Sequence, residues 1–254
     1  IFMIKNIIIP MAGLGERFKK NNFSTIKPLI RIDDSTILEE SIKELPRSKK
    51  RICILKKDIF DKYSVVNKIL KKNKVSPFLL DKDTLGQSDT CYKVINKINH
   101  DEDLLIHSCD YIMKYSYKKF LKTIKNSDVV IFTYRLKSTI VKNYNDYAYC
   151  MLKKGTVKKI TEKTTISKNP SLDHMIIGTF WFKKSKDFFD MHKTSLSKKN
   201  FINNELYVAN NINFLIKKKK NIKIFEVDYW KNLGDVFSYN QYIYWKNFFE
   251  NPHK

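Results

Sequence analysis

The chain has 254 residues, 43% hydrophobic and 13% aromatic, a composition that excludes a disordered or low-complexity protein. That length accommodates one well-buried α/β domain, and nothing in it demands two. The formal net charge of +23 reads either as a draw for an acidic partner or as the bias of a Lys-, Asn- and Ile-rich composition; the lysines are scattered in twos, so bias accounts for most of it.

The run Ile4 to Ile9 reads as a fully buried strand, since no polar residue alternates with its apolar ones. It stops at Pro10, and Met11-Ala12-Gly13-Leu14-Gly15-Glu16-Arg17-Phe18 follows. Gly13 and Gly15 allow the backbone to approach a ligand and point N–H groups at an anion. Arg17 adds a rigid fork of donors, and Lys27, in Lys27-Pro28-Leu29, a compact point charge. Together these predict a triphosphate cradle, against the alternative of a plain βα turn with two surface cations. The commoner phosphate loops are absent: there is no G-x-x-x-x-G-K-[ST], and G-x-G-x-x-G fails at Phe18.

Ser35-Thr36 before Glu39 and Glu40 predicts a capped helix start, with the helix closed by Pro46. A buried strand over Arg51 to Leu55, an amphipathic helix over Asp58 to Lys72 and a strand over Val75 to Leu80 follow. Strands alternating with helices predict a parallel sheet with ligands at the strands' carboxyl ends. Thr84 to Thr90 opens a helix ending near Ile98, and Leu85-Gly86 offers a glycine turn at its start. Leu104 to Asp110 is a strand ending in an acid. A carboxylate there is costly unless it binds something, and a hard metal is the usual answer beside phosphates; a helix cap is the alternative reading. Asp128 to Tyr134 is another strand. Ala148 to Leu152, Thr156 to Thr161 and Met175 to Phe182 alternate as antiparallel strands, with turns at Gly155 and Asn169-Pro170. Asn203 to Tyr207 opens a helix, and Lys217 to Lys220 ends it as a solvated run. Ile222 to Val227 is the last core strand, and Val236 to Phe249 an aromatic helix that packs on its own domain or forms a dimer contact. No segment reaches the roughly 18 apolar residues of a membrane span, and the start lacks a signal peptide's pattern. Cys53, Cys91, Cys109 and Cys150 lie far apart and read as reduced thiols of a cytoplasmic protein.

Gly13-x-Gly15-x-Arg17 followed by Lys27-Pro28-Leu29 resembles the signature of the sugar-phosphate nucleotidyltransferases (nucleoside-diphosphate-sugar pyrophosphorylases). The Pro10 to Gly13 version is most similar to their bacterial capsule-precursor branch, which includes a phosphoglutamine cytidylyltransferase. The resemblance implies a Rossmann-like three-layer α/β fold with a mixed, mainly parallel central sheet and a small antiparallel β portion on the acceptor side. It spans 1–254 as one domain: a nucleotide-binding half (1–135), an acceptor-binding part (136–235) and a C-terminal helix (236–254). It implies that Met11, Ala12, Gly13, Leu14, Gly15, Leu85 and Gly86 bind nucleotide, and that Arg17, Lys27, Asp110 and Lys163 are catalytic. Ala148, Glu162, Gly178 and Glu205 would bind the acceptor. Asp110 and Asn232 would hold Mg²⁺, for which Mn²⁺ can stand in. Three positions depart from the pattern: Ala148 stands for the glycine of Y-G, Asn232 for the usual second acid, and Asp235 for threonine. The implied activity is transfer of a nucleoside monophosphate from an NTP, with CTP favoured, to a phosphorylated acceptor (a sugar 1-phosphate, or a non-sugar such as phosphoglutamine). The implied setting is synthesis of capsule or surface-polysaccharide precursors in the cytoplasm. Two rivals come from other classes. A glycosyltransferase of the related GT-A fold would want D-x-D where Asp110-Tyr111-Ile112 stands, and a nucleic-acid binder would want its basic residues on one face with interleaved aromatics.

Overall fold

A computed structural model describes residues 2–13, 15, 18, 20, 21, 23, 25–136 and 141–250. In chain order, β1 (Ile4–Met11) leads through a 3-10 turn at Lys27–Leu29 to β2 (Arg31–Ile32), β3 (Ser35–Thr36) and α1 (Ile37–Lys43). Then come β4 (Ser48–Lys56), α2 (Lys57–Lys62), α3 (Ser64–Lys72), β5 (Ser76–Leu80), α4 (Gln87–Tyr92), β6 (Leu104–His107) and β7 (Tyr111–Lys114). The second half holds α5 (Tyr117–Ile124), β8 (Val129–Tyr134), β9 (Ala148–Lys153), β10 (Thr156–Glu162), β11 (His174–Phe182) and α6 (Ser185–Ser197). It closes with α7 (Val208–Lys217), β12 (Ile222–Glu226), β13 (Tyr229–Asn232) and α8 (Val236–Glu250).

Nine strands form one sheet, in the order β10-β9-β11-β6-β1-β4-β5, with β8 and then β12 on the other edge of β11. β1 is parallel to β4 and β6, β4 to β5, and β8 to β12, while β11 is antiparallel to β6, β8 and β9. Seven strands therefore run one way, and only β11 and β10 the other. Both faces are buried, as alternation along β1 requires: Ile7 and Ile9 join one core cluster and Ile8 the other. Leu38, Ile42, Val66, Ile69 and Leu70, from α1 and α3, cover the first face; Phe188, Phe189, Ile212 and Leu215, from α6 and α7, cover the second. The three-layer expectation holds. β10 is covered along its edge by Asn213, whose amide accepts from Ile160 N–H and donates to Ile160 C=O, both at 3.0 Å. That pairing stands in for a missing strand.

β6 and β9 lie end to end along one edge of β11. β6 pairs with Thr179 to Phe182 and β9 with His174 to Ile176, so they part at Ile177-Gly178. The sheet opens there. A separate two-stranded ribbon, β7 with β13, pairs Tyr111 with Asn232.

Several expectations needed revision. The helix over Asp58 to Lys72 is two helices broken at Tyr63 (φ −117°, ψ 84°), whose side chain packs against the first core cluster. The helix from Thr84 to Ile98 shrinks to α4 plus a 3-10 turn at Ile95–Lys97. The strand ending in Asp110 stops at His107, and Asp110 sits in the bend before β7. Asn203 to Tyr207 forms a tight turn instead of opening a helix, because Asn203 (φ 50°) and Asn204 (φ 62°) are left-handed. Thr36, in contrast, caps α1 as its spacing to Glu39 demands, with both bonds of the capping box present. All four cysteines are buried and free, and among the described residues no helix is long and apolar enough to cross a membrane.

Candidate active site

A cleft of about 940 Å³ opens at the carboxyl ends of β1 and β4 and runs into the gap between β6 and β9. Met11, Ala12, Gly13 and Gly15 line one end. Gly15 is left-handed (φ 64°), the conformation that presents successive N–H groups. Leu14 and Arg17 lie outside the described residues. Phe18, 1% exposed, anchors the loop through edge contacts with Phe23 and Tyr239 of α8. A short 3-10 turn, begun by Lys27 with Pro28 buried beside it, supplies the cation.

Lys27 Nζ lies 2.9 Å from Asp110 Oδ2. Asp110 is fixed from two sides. Its carbonyl accepts from Leu233 N–H at 2.9 Å, which ties it to β13. Behind it, His107 is fully buried and bonds Ser41 C=O and Thr179 Oγ1, each at 2.8 Å, while Tyr111 OH lies 3.1 Å from His107 Nδ1. A carbonyl can only accept, so Nε2 carries the proton and Nδ1 accepts. Burial holds this imidazole neutral, its pKa lowered to about 4. His107 thus braces α1, β6, β7 and β11 at the corner that presents Asp110. The sequence offered only its place on a buried strand, which gives no hint of the brace.

Asn232 Oδ1 accepts from Gly234 N–H at 2.8 Å, and its amide nitrogen donates to Asp235 and to Tyr147 OH. Asp235 also accepts from Ser238 N–H at 2.9 Å. The acid in the family's threonine position therefore caps α8 and orients Asn232. A Cβ built on Gly234 would meet Asp110 Oδ2 at 2.6 Å and Asn232 Oδ1 at 3.0 Å, so both oxygens converge on a cradle that only glycine leaves open. One charged and one neutral oxygen suit Mg²⁺, which keeps several waters and takes its remaining ligands from substrate phosphates. Among the described residues no group of three or more His, Cys, Asp or Glu could hold a metal unaided.

Leu85-Gly86-Gln87 forms the next wall. Asp89, buried, accepts from Leu85 N–H at 2.9 Å, and Gln87 Nε2 donates to Ser108 Oγ at 2.8 Å. Gly86 lines the cleft, whereas the Leu85 side chain is exposed and outside it. Ser108 was not singled out from sequence, and nothing in its local pattern marks it; Gln87 lies in the Thr84 to Thr90 stretch, which reads as a glycine turn opening a helix.

On the other side, Ala148 is buried and pairs with Glu162 on β10 and Ile176 on β11. Its methyl therefore belongs to the wall. Gly178 (φ 88°) leaves no room for a Cβ, which would meet Ser108 Oγ at 2.7 Å. Burial pushes the Glu162 carboxyl up to about 7; neighbouring Lys163 opposes the shift and Glu205 reinforces it. Lys163 is left-handed (φ 57°). Its N–H donates to Tyr147 C=O at 3.0 Å, and its ammonium donates to Asp146 C=O and lies 5.7 Å from the centre of the Tyr207 ring. Glu205 and Tyr207 complete the wall.

A family model described as Nucleotidyl transferase matches residues 5–244. No curated protein sequence matches the chain. Among solved structures, the nucleoside-diphosphate-sugar pyrophosphorylase from Vibrio cholerae RC9 is similar at TM-score 0.76 and 18% identity, over 94% of this chain and 99% of that one. The inositol-1-phosphate CTP transferase from T. maritima gives 0.72 and 12%, over 96% and 94%. A UDP-glucose pyrophosphorylase solved with UDP-glucose gives 0.69 and 16%, over 96% and 100%. At these identities the structural likenesses carry the fold.

Proposed function

The chain belongs to the nucleotidyl transferase family, and from that premise we propose that it moves a nucleoside monophosphate from an NTP to a phosphorylated small molecule and releases pyrophosphate. The observation that carries this reading is the convergence of Lys27, Asp110 and Asn232 on one point of the cleft, between the glycine loop and the Glu162–Lys163 corner. Residues 1–135 serve the nucleotide and 136–235 the acceptor, and 236–254, which contain α8 (Val236–Glu250), close the same domain. An acceptor phosphate is its own nucleophile: its second pKa is about 6, so it is largely ionised at neutral pH and no protein base is needed. One of its oxygens bonds to the α-phosphorus as the bond from that phosphorus to the bridging oxygen breaks, and the electron pair leaves with pyrophosphate. Catalysis is then positioning and charge neutralisation.

The glycine-loop amides and Arg17 carry the leaving phosphates. Lys27 transfers its charge from Asp110 to the reacting phosphate as nucleotide enters. Lys163 holds the acceptor phosphate, and Glu162 and Glu205 read the remainder of the acceptor. Asp110 and Asn232 would hold Mg²⁺, which supplies charge neutralisation at the α-phosphate when bound. CTP is the favoured donor and a non-hexose phosphate the favoured acceptor, phosphoglutamine among them, in assembly of capsule or surface-polysaccharide precursors. Ala148 in the wall supports a pocket narrower than one closed by glycine. Pyrophosphate release from the four NTPs, screened against phosphorylated sugars, polyols and amino acids with Mg²⁺, tests the reading. Release with one pair is expected; none with any pair overturns it.

A further inference from the structure

Glu205 and Tyr207 both line the acceptor side of the cleft, and between them Leu206 is fully buried. Its backbone is tied to the opposite wall. Leu206 N–H donates to Leu85 C=O at 2.7 Å, and Leu206 C=O accepts from Ser88 N–H at 2.9 Å. Those two bonds straddle Gly86, whose φ of +105° suits glycine alone; a Cβ there would meet Leu206 N at 2.8 Å, Leu206 O at 3.0 Å and Glu205 Cβ at 3.1 Å. The two segments touch without slack. A two-residue turn delivers Leu206 to this place: Ile202 and Glu205 exchange both backbone bonds at 3.0 Å, with Asn203 and Asn204 left-handed between them. This is the turn that matches strand twist, and asparagine tolerates it better than most residues.

We infer that the Asn203–Asn204 turn and Leu206 form a clasp through which nucleotide bound at the Leu85–Gln87 loop orders the acceptor grip of Glu205 and Tyr207. The inference rests on the nucleotidyl-transfer reading above. Asn203, Asn204 and Leu206 are positioning residues, since none of them needs to touch a substrate. A hairpin that served stability alone could end anywhere on the surface. This one spends both hydrogen bonds of its exit residue on the loop across the cleft, and the two residues flanking that one project into the cleft. A ligand that stiffens the loop pays in advance part of the cost of ordering the grip, which is coupling without a large displacement.

Hydrogen exchange of the full chain with Mg²⁺ and each of the four α,β-methylene nucleoside triphosphates tests this. The effective analogue should slow exchange at Gly13 and Gly15, and slow the Glu205 and Leu206 amides about tenfold, within the usual range of coupling between sites. Asn204→Pro, at an exposed turn position whose φ proline cannot adopt, should abolish the response at 205–206 while sparing the glycine loop. Asn204→Gly, which keeps the φ, should retain both. Protection of the glycine loop without protection of 205–206 in the parent overturns the clasp alone. An equal response in Asn204→Pro and parent does so too, and leaves a structural turn. Protection at neither place, with every analogue, overturns nucleotide binding and the clasp with it.

Discussion

Glu162→Gln is the most informative single change, because the structure gives it a stability signature separate from any activity. Burial moves the Glu162 carboxyl from 4.5 up to about 7. At 1.36 kcal/mol per pH unit the ceiling on the cost of its charge is about 3.4 kcal/mol. The side chain faces an open cleft, so screening reduces this to about 1.5 kcal/mol. The sign follows from proton counting. Below pH 4.5 both folded and unfolded chains hold the proton and the group is silent. Between 4.5 and 7 the folded chain holds more protons than the unfolded one, so stability falls as pH rises, and above about 7 the full penalty applies. Glutamine carries no charge to desolvate. The variant should therefore gain on the parent as pH rises, by about 3–6 °C in Tm at pH 8 relative to pH 4.5, at about 2–4 °C per kcal/mol for a chain of this size. Paired melts by circular dichroism at half-unit steps read the difference directly, and the other titrating groups cancel in it. A gap that stays constant from pH 4.5 to 8 would falsify the burial assigned to this carboxyl.

Asp110→Asn should abolish nearly all turnover with the fold intact by circular dichroism; pyrophosphate release near the parent rate would remove Asp110 from the metal site. Arg17→Ala and Lys27→Ala should each slow turnover by roughly 10²-fold, as loss of a transition-state donor does, whereas Lys20→Ala, exposed on the same segment, should change it less than twofold; equal losses at all three would point to general attraction and not a shaped site. Gly234→Ala forces a methyl to 2.6 Å from Asp110 Oδ2 at a residue without positive φ, so its damage should appear as weakened Mn²⁺ binding in the nucleotide complex, by electron paramagnetic resonance, with little change in Tm. With an amino-bearing acceptor Glu162→Gln should lower kcat/KM by about 2 kcal/mol, roughly 30-fold; a loss of only a few-fold with such an acceptor would favour a neutral sugar.

How much of this was legible in the sequence depends on whether the signal was local. The Ile4 to Ile9 run, the Gly13 to Arg17 loop, Lys27 and Asp110 each announce themselves by composition or position along a strand; the run is core, and Gly13, Gly15, Lys27 and Asp110 line one cleft. Capping of α1 was legible because Thr36 and Glu39 lie three residues apart. The break at Tyr63 was not, since Tyr63, Val66, Ile69 and Leu70 keep a helical spacing across it, and only the packing of Tyr63 into the core reveals it. The Asn203–Asn204 turn was hidden by a pattern that favours helix, and the His107 brace by its partners, Ser41 and Thr179, each more than sixty residues away in the chain. Asp235 looked like a lost threonine; its two roles, cap and orienter, exist only once α8 folds back beside β13.

The chain is strongly basic but the described wall of the cleft is not, and this bears on how the proposed triphosphate substrate would be held. The described wall contains four lysines, at 27, 56, 62 and 163, and six acids, at 58, 83, 110, 146, 162 and 205. Four minus six leaves a formal −2 on that wall, less to the extent that the raised Glu162 carboxyl keeps its proton, against +23 for the whole chain. Lys27 and Lys56 are moreover paired with Asp110 and Asp83. Bulk lysine content therefore draws anions to the surface at large, where salt screens them within about 10 Å, and gives little preference for this cleft. On the reading proposed above, selection of a nucleotide would rest on directional groups: the amides of the glycine loop, Arg17, and a divalent cation held by Asp110 and Asn232. A site so built should respond weakly to added monovalent salt and strongly to removal of divalent metal, the reverse of what a diffuse positive surface gives.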